Sequence, residues 1–328
     1  MNTTVIDKLQ AFLSPEMVKV DELMRERMKS DKVSLIEQIA GHLINSGGKR
    51  IRPMLTIASA KLFNYDGPNH IKLAAVVEFI HNATLLHDDV VDRSERRRDK
   101  KTANTVWDNK SSILVGDFLF SRSFKLMIET KSPEILSILA NSSEMISEGE
   151  VLQLSVANNF RIPETTYYDV IRGKTAALFS ASCETGAQVA GASKVQTKSL
   201  YEYGDALGIA FQIMDDLLDY SGQGGELGKN IGNDFREQKV TLPIILAYKV
   251  ASKEEIEFWD RTIGKGIQNS DDFDIALQIL NNRNILKQTY AIALKWSNIA
   301  KNQLRDIPSS ETKRLLKELC DYVVSRTS

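Results

Sequence analysis

The sequence predicts an all-α fold in which the helices pack into a single-domain bundle. Apolar residues recur at helical spacing through most of the chain, as in IKLAAVVEFI at residues 71–80. No stretch alternates polar and apolar residues for long enough to indicate a sheet. No long linker rich in Pro, Gly or Ser interrupts the 328 residues, so we expect one domain that spans residues 1–328.

Several helix starts can be placed from local signals. The run Ser132-Pro133-Glu134 combines an N-cap residue, a proline at the first helical position and an acidic first turn. Similar signals occur at residues 163–164 and 241–243. We expect breaks between helices at residues 64–68, 94–101, 158–163, 221–233 and 264–272.

Composition and charge exclude several classes of protein. Hydrophobic residues make up 42% and charged residues 26%, as in a soluble globular protein with a large core. A net charge of -1 argues against nucleic-acid binding, which requires an excess of Lys and Arg. Cys183 and Cys320 have neither disulfide-framework nor metal-ligand spacing, which fits a reducing compartment. With no signal peptide and no membrane span in the sequence, a cytoplasmic protein is expected.

Two aspartate clusters of the same form dominate the chemistry, DDVVD at residues 88–92 and DDLLD at residues 215–219. In a helix, residues four apart lie on one face, so each cluster stacks two carboxylates with a third beside them. Both clusters have apolar flanks, and carboxylates crowded away from water take up protons or bind cations. Hard oxygen ligands suit Mg²⁺, which binds through a few carboxylates and substrate phosphates. The pattern predicts a magnesium-held diphosphate between two helices.

Basic residues accompany the acidic clusters. GGKRIRP at residues 47–53 joins glycines, which permit close backbone approach, to three cations, as in a phosphate-binding turn that enters a helix. Three arginines follow the first aspartate cluster at residues 96–98, and Lys229 and Lys239 follow the second. Each motif also has an ordinary explanation as a surface turn or a solvated helix face. Their combination favours binding of a diphosphate.

The ordered set of motifs resembles the trans-isoprenyl diphosphate synthases, and especially their long-chain branch of octaprenyl and related polyprenyl diphosphate synthases. Besides the motifs above, the set contains His81, the pair at residues 97–98, EGE at residues 148–150, GKT at residues 173–175, FQ at residues 211–212 and GKN at residues 228–230. The resemblance implies an all-helical fold, a homodimer, Mg²⁺ as cofactor with three ions, and condensation of isopentenyl diphosphate onto an allylic diphosphate.

The resemblance also implies roles for single residues. Asp88 and Asp92 would hold Mg²⁺ on one side of the allylic diphosphate, and Asp215 would hold a third ion opposite. The remaining aspartates, Asp89, Asp216 and Asp219, would act through water or as outer ligands. The residues that would contact the allylic diphosphate are Arg97, Lys174, Lys229 and Lys239. Those that would hold isopentenyl diphosphate are Gly48, Lys49, Arg52, His81 and Arg98. Thr175 and Gln212 would stabilise the carbocation.

Three positions need separate mention. The family usually has glycine after its arginine pair, whereas this chain has Asp99, which tolerates a positive φ better than most residues. Arg326 is the only basic residue in 323–328, and the family sometimes uses a terminal cation near isopentenyl diphosphate. Without the resemblance, the interpretation of His81 as a hydrogen-bonded core histidine would be favoured.

Small residues predict a long product. Ala83 and Thr84 lie about one turn before Asp88, where short-chain relatives carry a bulky aromatic residue that blocks the product tunnel. Met127 and Leu139, on helices expected at residues 118–130 and 133–148, align with the tunnel floor of octaprenyl synthases, although both could be ordinary core residues. We expect about eight isoprene units, with nine or ten as alternatives, for a quinone side chain. Such an oily product could bring the enzyme to a membrane surface.

Other functions compete with this interpretation. His87-Asp88 is also found in metal-dependent phosphohydrolases, but these need further metal-binding histidines and the chain has only His42, His70 and His81 besides. A terpene cyclase normally has Asn, Ser and Glu in its second metal motif. A medium-chain geranylgeranyl synthase and a non-catalytic helical partner subunit of a prenyl synthase remain as alternatives.

Overall fold

The computed structural model describes residues 4–98, 100–157, 159–221 and 231–326. Within these residues the regular structure is helical except for two strands of two residues each, which confirms the predicted all-α class. The helices of the first half are α1 Val5–Phe12, α2 Ser14–Met28, α3 Ser34–Ile44, α4 Ile51–Lys61, α5 Asn69–Val91, α6 Ala103–Val106, α7 Asn109–Glu129 and α8 Pro133–Ser155. Those that follow are α9 Glu164–Ile171, α10 Ala177–Val189, α11 Lys194–Tyr220, α12 Asn233–Arg236, α13 Leu242–Lys249, α14 Lys253–Trp259, α15 Asp272–Asn282, α16 Ile285–Gln303 and α17 Glu311–Ser325.

The chain forms two compact units, each assembled from three stretches of sequence. The first unit contains Met1–Ser143, Leu178–Tyr201 and Asp306–Leu316, and the second contains Glu144–Ala177, Glu202–Arg305 and Lys317–Ser328. The expectation of one domain therefore stays a prediction.

The first unit is organised around α5, which packs against α4 and α7. Its interior residues, such as Phe79 and Ile80, are completely buried. In the same unit α10 comes very close to α4, since a Cβ placed on Gly186 would lie only 2.3 Å from the carbonyl oxygen of Thr56. In an interior packed this densely, no side chain can move without displacing another. The positions of neighbouring helices within the unit are therefore fixed.

The second unit has an aromatic interior. Trp259, Tyr220 and Phe235 are buried together with aliphatic residues from α13, α15 and α16. At its edge Arg261 forms an ion pair of 2.7 Å with the buried Asp272 and lies over the ring of Phe258. Through this cluster α12, α13, α15 and α16, which follow the second aspartate motif, pack together.

The predicted helix starts are confirmed. Helix α8 begins at Pro133, and the N–H of Ile135 donates to the Ser132 hydroxyl at 3.3 Å. Helix α9 begins at Glu164 after Pro163, and α13 begins at Leu242 after Thr241. Fixed proline geometry and capping oxygens act locally, so these boundaries follow from neighbouring residues.

Three features differ from expectation. The predicted break at residues 94–101 contains a small hairpin in which Arg96–Arg97 pairs antiparallel with Lys100–Lys101, a ladder too short to appear as alternation in sequence. Helices α7 and α8 are longer than the predicted 118–130 and 133–148. The GKT motif lies in a π-helical turn, Arg172–Ala176, where the N–H of Ala177 donates to the carbonyl of Arg172.

Among the described helices, none is both long and apolar enough to span a bilayer.

Candidate active site

The first aspartate cluster lies at the end of α5. The N–H of Asp92 donates to the carbonyl of Asp88 at 2.8 Å, so the helical turn continues and the two side chains share one face. Asp92 is exposed and Asp88 is half-buried. Both positions agree with the predicted role of these two residues as metal ligands, which stays a prediction.

Asp89 differs from its neighbours because it is 1% exposed and bonded to Arg97. The Nε and Nη2 atoms of Arg97 both donate to Asp89 Oδ1, at 3.0 and 2.8 Å. An ion pair with one buried partner and two hydrogen bonds holds the guanidinium in a defined position. Asp89 therefore anchors the arginine hairpin to α5, in agreement with its expected position outside the metal ligands.

The glycine turn before α4 depends on backbone conformations that favour glycine. Gly47 has φ +83° and Gly48 has φ +144°. A Cβ on Gly48 would lie 2.7 Å from Nη1 of Arg98, so the missing side chain lets the guanidinium reach the backbone. The structure thus brings together Gly48 and Arg98, two of the residues predicted to hold isopentenyl diphosphate.

Arg50 closes this turn and has an unusual partner. Its φ is +50°, and its Nη1 forms an ion pair of 2.8 Å with Oε1 of Glu78 on α5. Glu78 is 6% exposed and also accepts from Nδ2 of Asn82 at 3.2 Å. Asp21 contacts the same guanidinium at 3.6 Å. The buried carboxylate fixes a residue whose backbone conformation is uncommon outside glycine.

Arg52 and His81 are also brought together, with Nη1 3.2 Å from Nε2. Removal from water lowers the pKa of His81 well below its usual value, and the nearby Arg52, Arg98 and Arg97 lower it further. His81 is therefore neutral near pH 7, and its Nε2 accepts from Arg52. Arg52 also lies over the Phe179 ring at 4.8 Å.

The predicted chain-length residues belong to the first unit. Ala83, Met127 and Leu139 are 1% exposed or less, and Thr84 is half-buried. Ala83 and Thr84 lie on α5, Met127 on α7 and Leu139 on α8. These positions are compatible with a core role and with a tunnel wall, so their effect on product length stays a prediction.

In the second unit the GKT turn approaches the backbone of α8. A Cβ on Gly173 would lie 2.7 Å from the carbonyl oxygen of Met145 and 2.8 Å from Cα of Gly149. Lys174 extends from this turn, and its Nζ forms an ion pair of 2.9 Å with Oε2 of Glu150. Two glycines thus permit the contact that positions the lysine. The π-helical geometry widens the turn, as it often does at functional sites.

Thr175 and Gln212, the two residues predicted to stabilise the cation, are directly bonded. The Thr175 hydroxyl donates to Gln212 Oε1 at 2.8 Å, and Gln212 Nε2 donates to Asp216 Oδ1 at 2.8 Å. The hydroxyl of Tyr167 donates to the other oxygen of Asp216 at 2.5 Å. Burial raises the pKa of Asp216 to about 7, while these two hydrogen bonds favour its charged form. The network fixes the Gln212 amide from both ends.

Further carboxylates extend this network. Asp219 accepts from the N–H groups of Asn233 and Asp234 at the start of α12, at 3.2 and 2.9 Å. Burial raises the pKa of Asp219 and, together with Asp216, raises that of Asp234 well above its usual range. Lys239 pairs with Glu237 at 2.7 Å. Lys229 and Asp99 lie outside the described residues, as does the GKN motif.

Asp215, the predicted ligand of the third metal ion, is paired with Arg326. Nη2 of Arg326 lies 2.9 Å from Asp215 Oδ1. This pairing was not anticipated, because Arg326 was expected near isopentenyl diphosphate. Three other partners were missed: Glu78, Glu150 and Tyr167. Apolar neighbours around Glu78 in the sequence could have indicated a buried carboxylate, but no local signal identifies its arginine.

The donor set fits Mg²⁺. Among the described residues, no three His, Cys, Asp or Glu side chains converge closely enough to form a metal site by themselves. Asp88 and Asp92 offer two oxygen ligands one turn apart, which suits an ion that also binds water and substrate phosphates. In the second unit burial raises the pKa values of Asp216 and Asp219, so their charged forms are poorly solvated and a cation would stabilise them.

Comparison with known proteins identifies the family of the chain. The profile of the polyprenyl synthetase family matches residues 33–280. The chain therefore belongs to the polyprenyl synthetase family. Membership makes it a prenyltransferase of the trans-polyprenyl diphosphate synthase type and confirms the resemblance drawn from its motifs.

Individual relatives cover nearly the whole chain. The octaprenyl diphosphate synthase of Haemophilus influenzae is 39% identical over 98% of this chain and 97% of its own. A crystal structure of a decaprenyl diphosphate synthase from Rhodobacter capsulatus superposes with a TM-score of 0.95 at 51% identity, covering 98% and 99% of the two chains. A polyprenyl synthase from Caulobacter crescentus, complexed with calcium and isoprenyl diphosphate, has a TM-score of 0.94 at 44% identity and full coverage of both chains.

Replacing Glu78 by Gln should destabilise the protein. The substitution keeps the side-chain shape but removes the main counter-charge of Arg50, which is 18% exposed and keeps only the longer contact with Asp21, so we expect a loss of about 1.5–3 kcal/mol. Urea unfolding followed by circular dichroism measures the free energy of unfolding. Glu311→Gln, which breaks an exposed pair with Arg314, is the control and should change little. Equal stability of Glu78→Gln and the native protein would contradict the anchoring role of Glu78.

Proposed function

We propose that this prenyltransferase repeatedly condenses isopentenyl diphosphate onto an allylic diphosphate, such as farnesyl diphosphate, to a product of about eight isoprene units. The observation that carries the proposal is the complete ordered set of acidic and basic motifs in a chain of this family. The named relatives make octaprenyl and decaprenyl products, so eight units is a choice within that range.

The chemistry requires charge stabilisation and exclusion of water. Breaking the allylic C–O bond gives a carbocation and a diphosphate leaving group, and the isopentenyl double bond then attacks the cation. A proton must then leave the new C–C product, and the departing diphosphate would accept it. Water in contact with the cation would give an alcohol, so the hydrocarbon must be enclosed by apolar side chains.

In this proposal Asp88, Asp92 and Asp215 hold Mg²⁺, with three ions per bound diphosphate. The ions would neutralise the charge that develops on the leaving group. Lys174 is placed by Glu150 and Arg97 by Asp89, so both cations are preorganised for the allylic diphosphate. Lys229 and Lys239 would add to this set.

The isopentenyl diphosphate would bind at the glycine turn of the first unit. The side chains of Arg52 and Arg98 and the backbone of Gly48 gather there, with Lys49 adjacent in sequence. A neutral His81 leaves the positive charge of this cluster to the arginines, which match phosphate oxygens in a two-pronged geometry.

Thr175 and Gln212 would stabilise the carbocation by their dipoles. Because Gln212 Nε2 is bonded to Asp216, its oxygen is fixed in orientation and already accepts from Thr175. Oxygen atoms held in place beside a developing cation stabilise it without reorganisation at the moment of reaction.

The direct test is incubation of the purified protein with Mg²⁺, farnesyl diphosphate and labelled isopentenyl diphosphate. Long prenyl diphosphates should appear, and chelation of the metal or Asp88→Asn should lower their formation at least about 100-fold, as for removal of a strong electrostatic contribution. Asp274→Asn, an exposed aspartate on α15, is the matched control and should leave the rate unchanged.

Other outcomes of this assay identify the alternatives. Release of phosphate without elongation would identify a hydrolase, and inert protein would identify a partner subunit. A product of four isoprene units would identify a medium-chain synthase.

Ala83→Tyr should shorten the products while sparing the first condensations. A ring at this buried position of α5 would block the path of the growing chain, whereas Ala83→Ser, with little added volume, should leave product length unchanged. Chromatography of the dephosphorylated products gives the lengths, and circular dichroism checks that both variants are folded. In the proposed tunnel Met127 and Leu139 would form the floor. Products of native length from folded Ala83→Tyr would rule this tunnel out.

We also propose a homodimer. Exposed apolar residues lie at both ends of one face of α7, Ile113 and Leu114 near its start and Phe124 and Ile128 near its end, with Leu114 66% exposed. Grouped apolar residues on a surface often mark a protein interface. Two exposed apolar residues on α8, Val151 and Leu154, offer a second patch.

Light scattering after size exclusion should give twice the chain mass of 36.8 kDa. Leu114→Asp should shift the mass toward the monomer, because a charge would be buried in the interface. Val195→Asp, at a 76% exposed position on α11, should keep the dimer. A native protein of single-chain mass at micromolar concentration would reject the proposal.

The product would serve as a precursor of a quinone side chain, such as that of ubiquinone, and its release would bring the enzyme into peripheral contact with a membrane. Cys183 and Cys320 are both buried and form no disulfide, and burial raises the pKa of Cys320 to about 12. Cysteines outside disulfides are usual in a reducing compartment, which supports a cytoplasmic location.

A further inference from the structure

Arg326, which follows α17, has a buried side chain and contacts Asp215, a candidate metal ligand. Its side chain is 5% exposed. Nη2 donates to the carbonyl oxygen of Phe211 at 2.6 Å and lies 2.9 Å from Asp215 Oδ1. Nε donates to the carbonyl oxygen of Val323 at 3.2 Å, and the guanidinium lies 4.0 Å from the centre of the Phe211 ring.

These contacts hold Arg326 from four directions. Two backbone carbonyls and one aromatic face fix the planar group independently of Asp215, so the arginine does not rely on the carboxylate for its position. Nη2 bridges the carbonyl of Phe211 and the carboxylate of Asp215, residues four apart on α11. The guanidinium therefore acts as a fixed point against which the Asp215 side chain is oriented.

Asp215 itself is less constrained. Its side chain is 38% exposed, and the ion pair with Arg326 is formed by its Oδ1 atom. The ion pair already restricts the carboxylate through one oxygen. A metal ion that binds the other oxygen therefore costs the side chain little further rotamer freedom. Outer partners orient metal ligands, and their loss typically weakens metal binding about 10–100-fold.

We infer that Arg326 is a positioning residue for metal binding by Asp215: it fixes Oδ1 and leaves Oδ2 as the ligand atom. The inference rests on the proposed function, in which Asp215 holds one metal ion. The inference gives Arg326, the residue after α17, a role at the second aspartate motif. The resemblance had suggested isopentenyl diphosphate as the partner of this arginine.

A competing role for Arg326 would give the opposite result. If the Arg326 side chain only occupied Asp215 as a mobile cation, it would have to leave before a metal ion could bind. Removal of Arg326 would then tighten metal binding. The four contacts and near-complete burial argue against such displacement, because a guanidinium that leaves must expose two carbonyls and an aromatic face.

The test uses Mn²⁺ and inorganic pyrophosphate with the full chain, with bound Mn²⁺ counted by electron paramagnetic resonance. Asp215→Asn identifies the ion that depends on Asp215, since that ion should be lost from the stoichiometry. Arg326→Gln should keep the native stoichiometry at saturation but require about tenfold more Mn²⁺ for that ion. Arg326→Lys keeps the charge without the planar fork and should weaken binding nearly as much.

Arg261→Gln is the matched control in the same unit. Arg261 also combines an aspartate partner, a carbonyl acceptor in Ile267 and an aromatic face in Phe258. This variant should lower thermal stability without changing Mn²⁺ affinity. If it weakened Mn²⁺ binding as much as Arg326→Gln, the effect would be general loosening and the inference would fall.

The two possible failures are distinguishable. If Asp215→Asn removes an ion but Arg326→Gln binds Mn²⁺ as well as or better than the native protein, only the positioning role is overturned. If Asp215→Asn leaves Mn²⁺ binding unchanged, Asp215 is not a ligand and the metal assignment of the proposed function fails with it.

Discussion

Charges removed from water need counter-charges, and this requirement governs how the basic residues of each unit are held. Three of the cations that the motifs supply have carboxylate partners: Glu78 for Arg50, Asp89 for Arg97 and Glu150 for Lys174. The partners lie on long helices packed into dense interiors. Pairing therefore fixes the basic groups in place before any substrate arrives, and the cost of orienting them is met during folding.

The two units use the same principle with opposite excess charge. In the first, arginines gather around His81, and their field together with burial keeps the imidazole neutral. Such a cluster attracts anions. In the second, Asp216, Asp219 and Asp234 are removed from water, and burial is the main reason that their pKa values are raised. Carboxylates removed from water in this way attract metal ions.

Backbone geometry supplies the rest of the arrangement. The glycine turn before α4 and the π-helical turn of the GKT motif both bring main chain close to other groups, the first to Arg98 and the second to α8. Neither turn could keep its contact with a larger residue at Gly48 or Gly173. Local conformations that are uncommon elsewhere thus occur where side chains must be placed for chemistry.

The sequence by itself determined the all-α class, the helix starts at Pro133, Glu164 and Leu242, and the ordered motifs that identify the family. These depend on periodicity, caps and short spacings, which act between neighbours in the chain. Only the tertiary structure decided which charges pair. Arg50 meets Glu78 across 28 residues, and Arg326 meets Phe211 across 115. Such partners are chosen by the packing of distant helices, and no local pattern in the sequence records that choice.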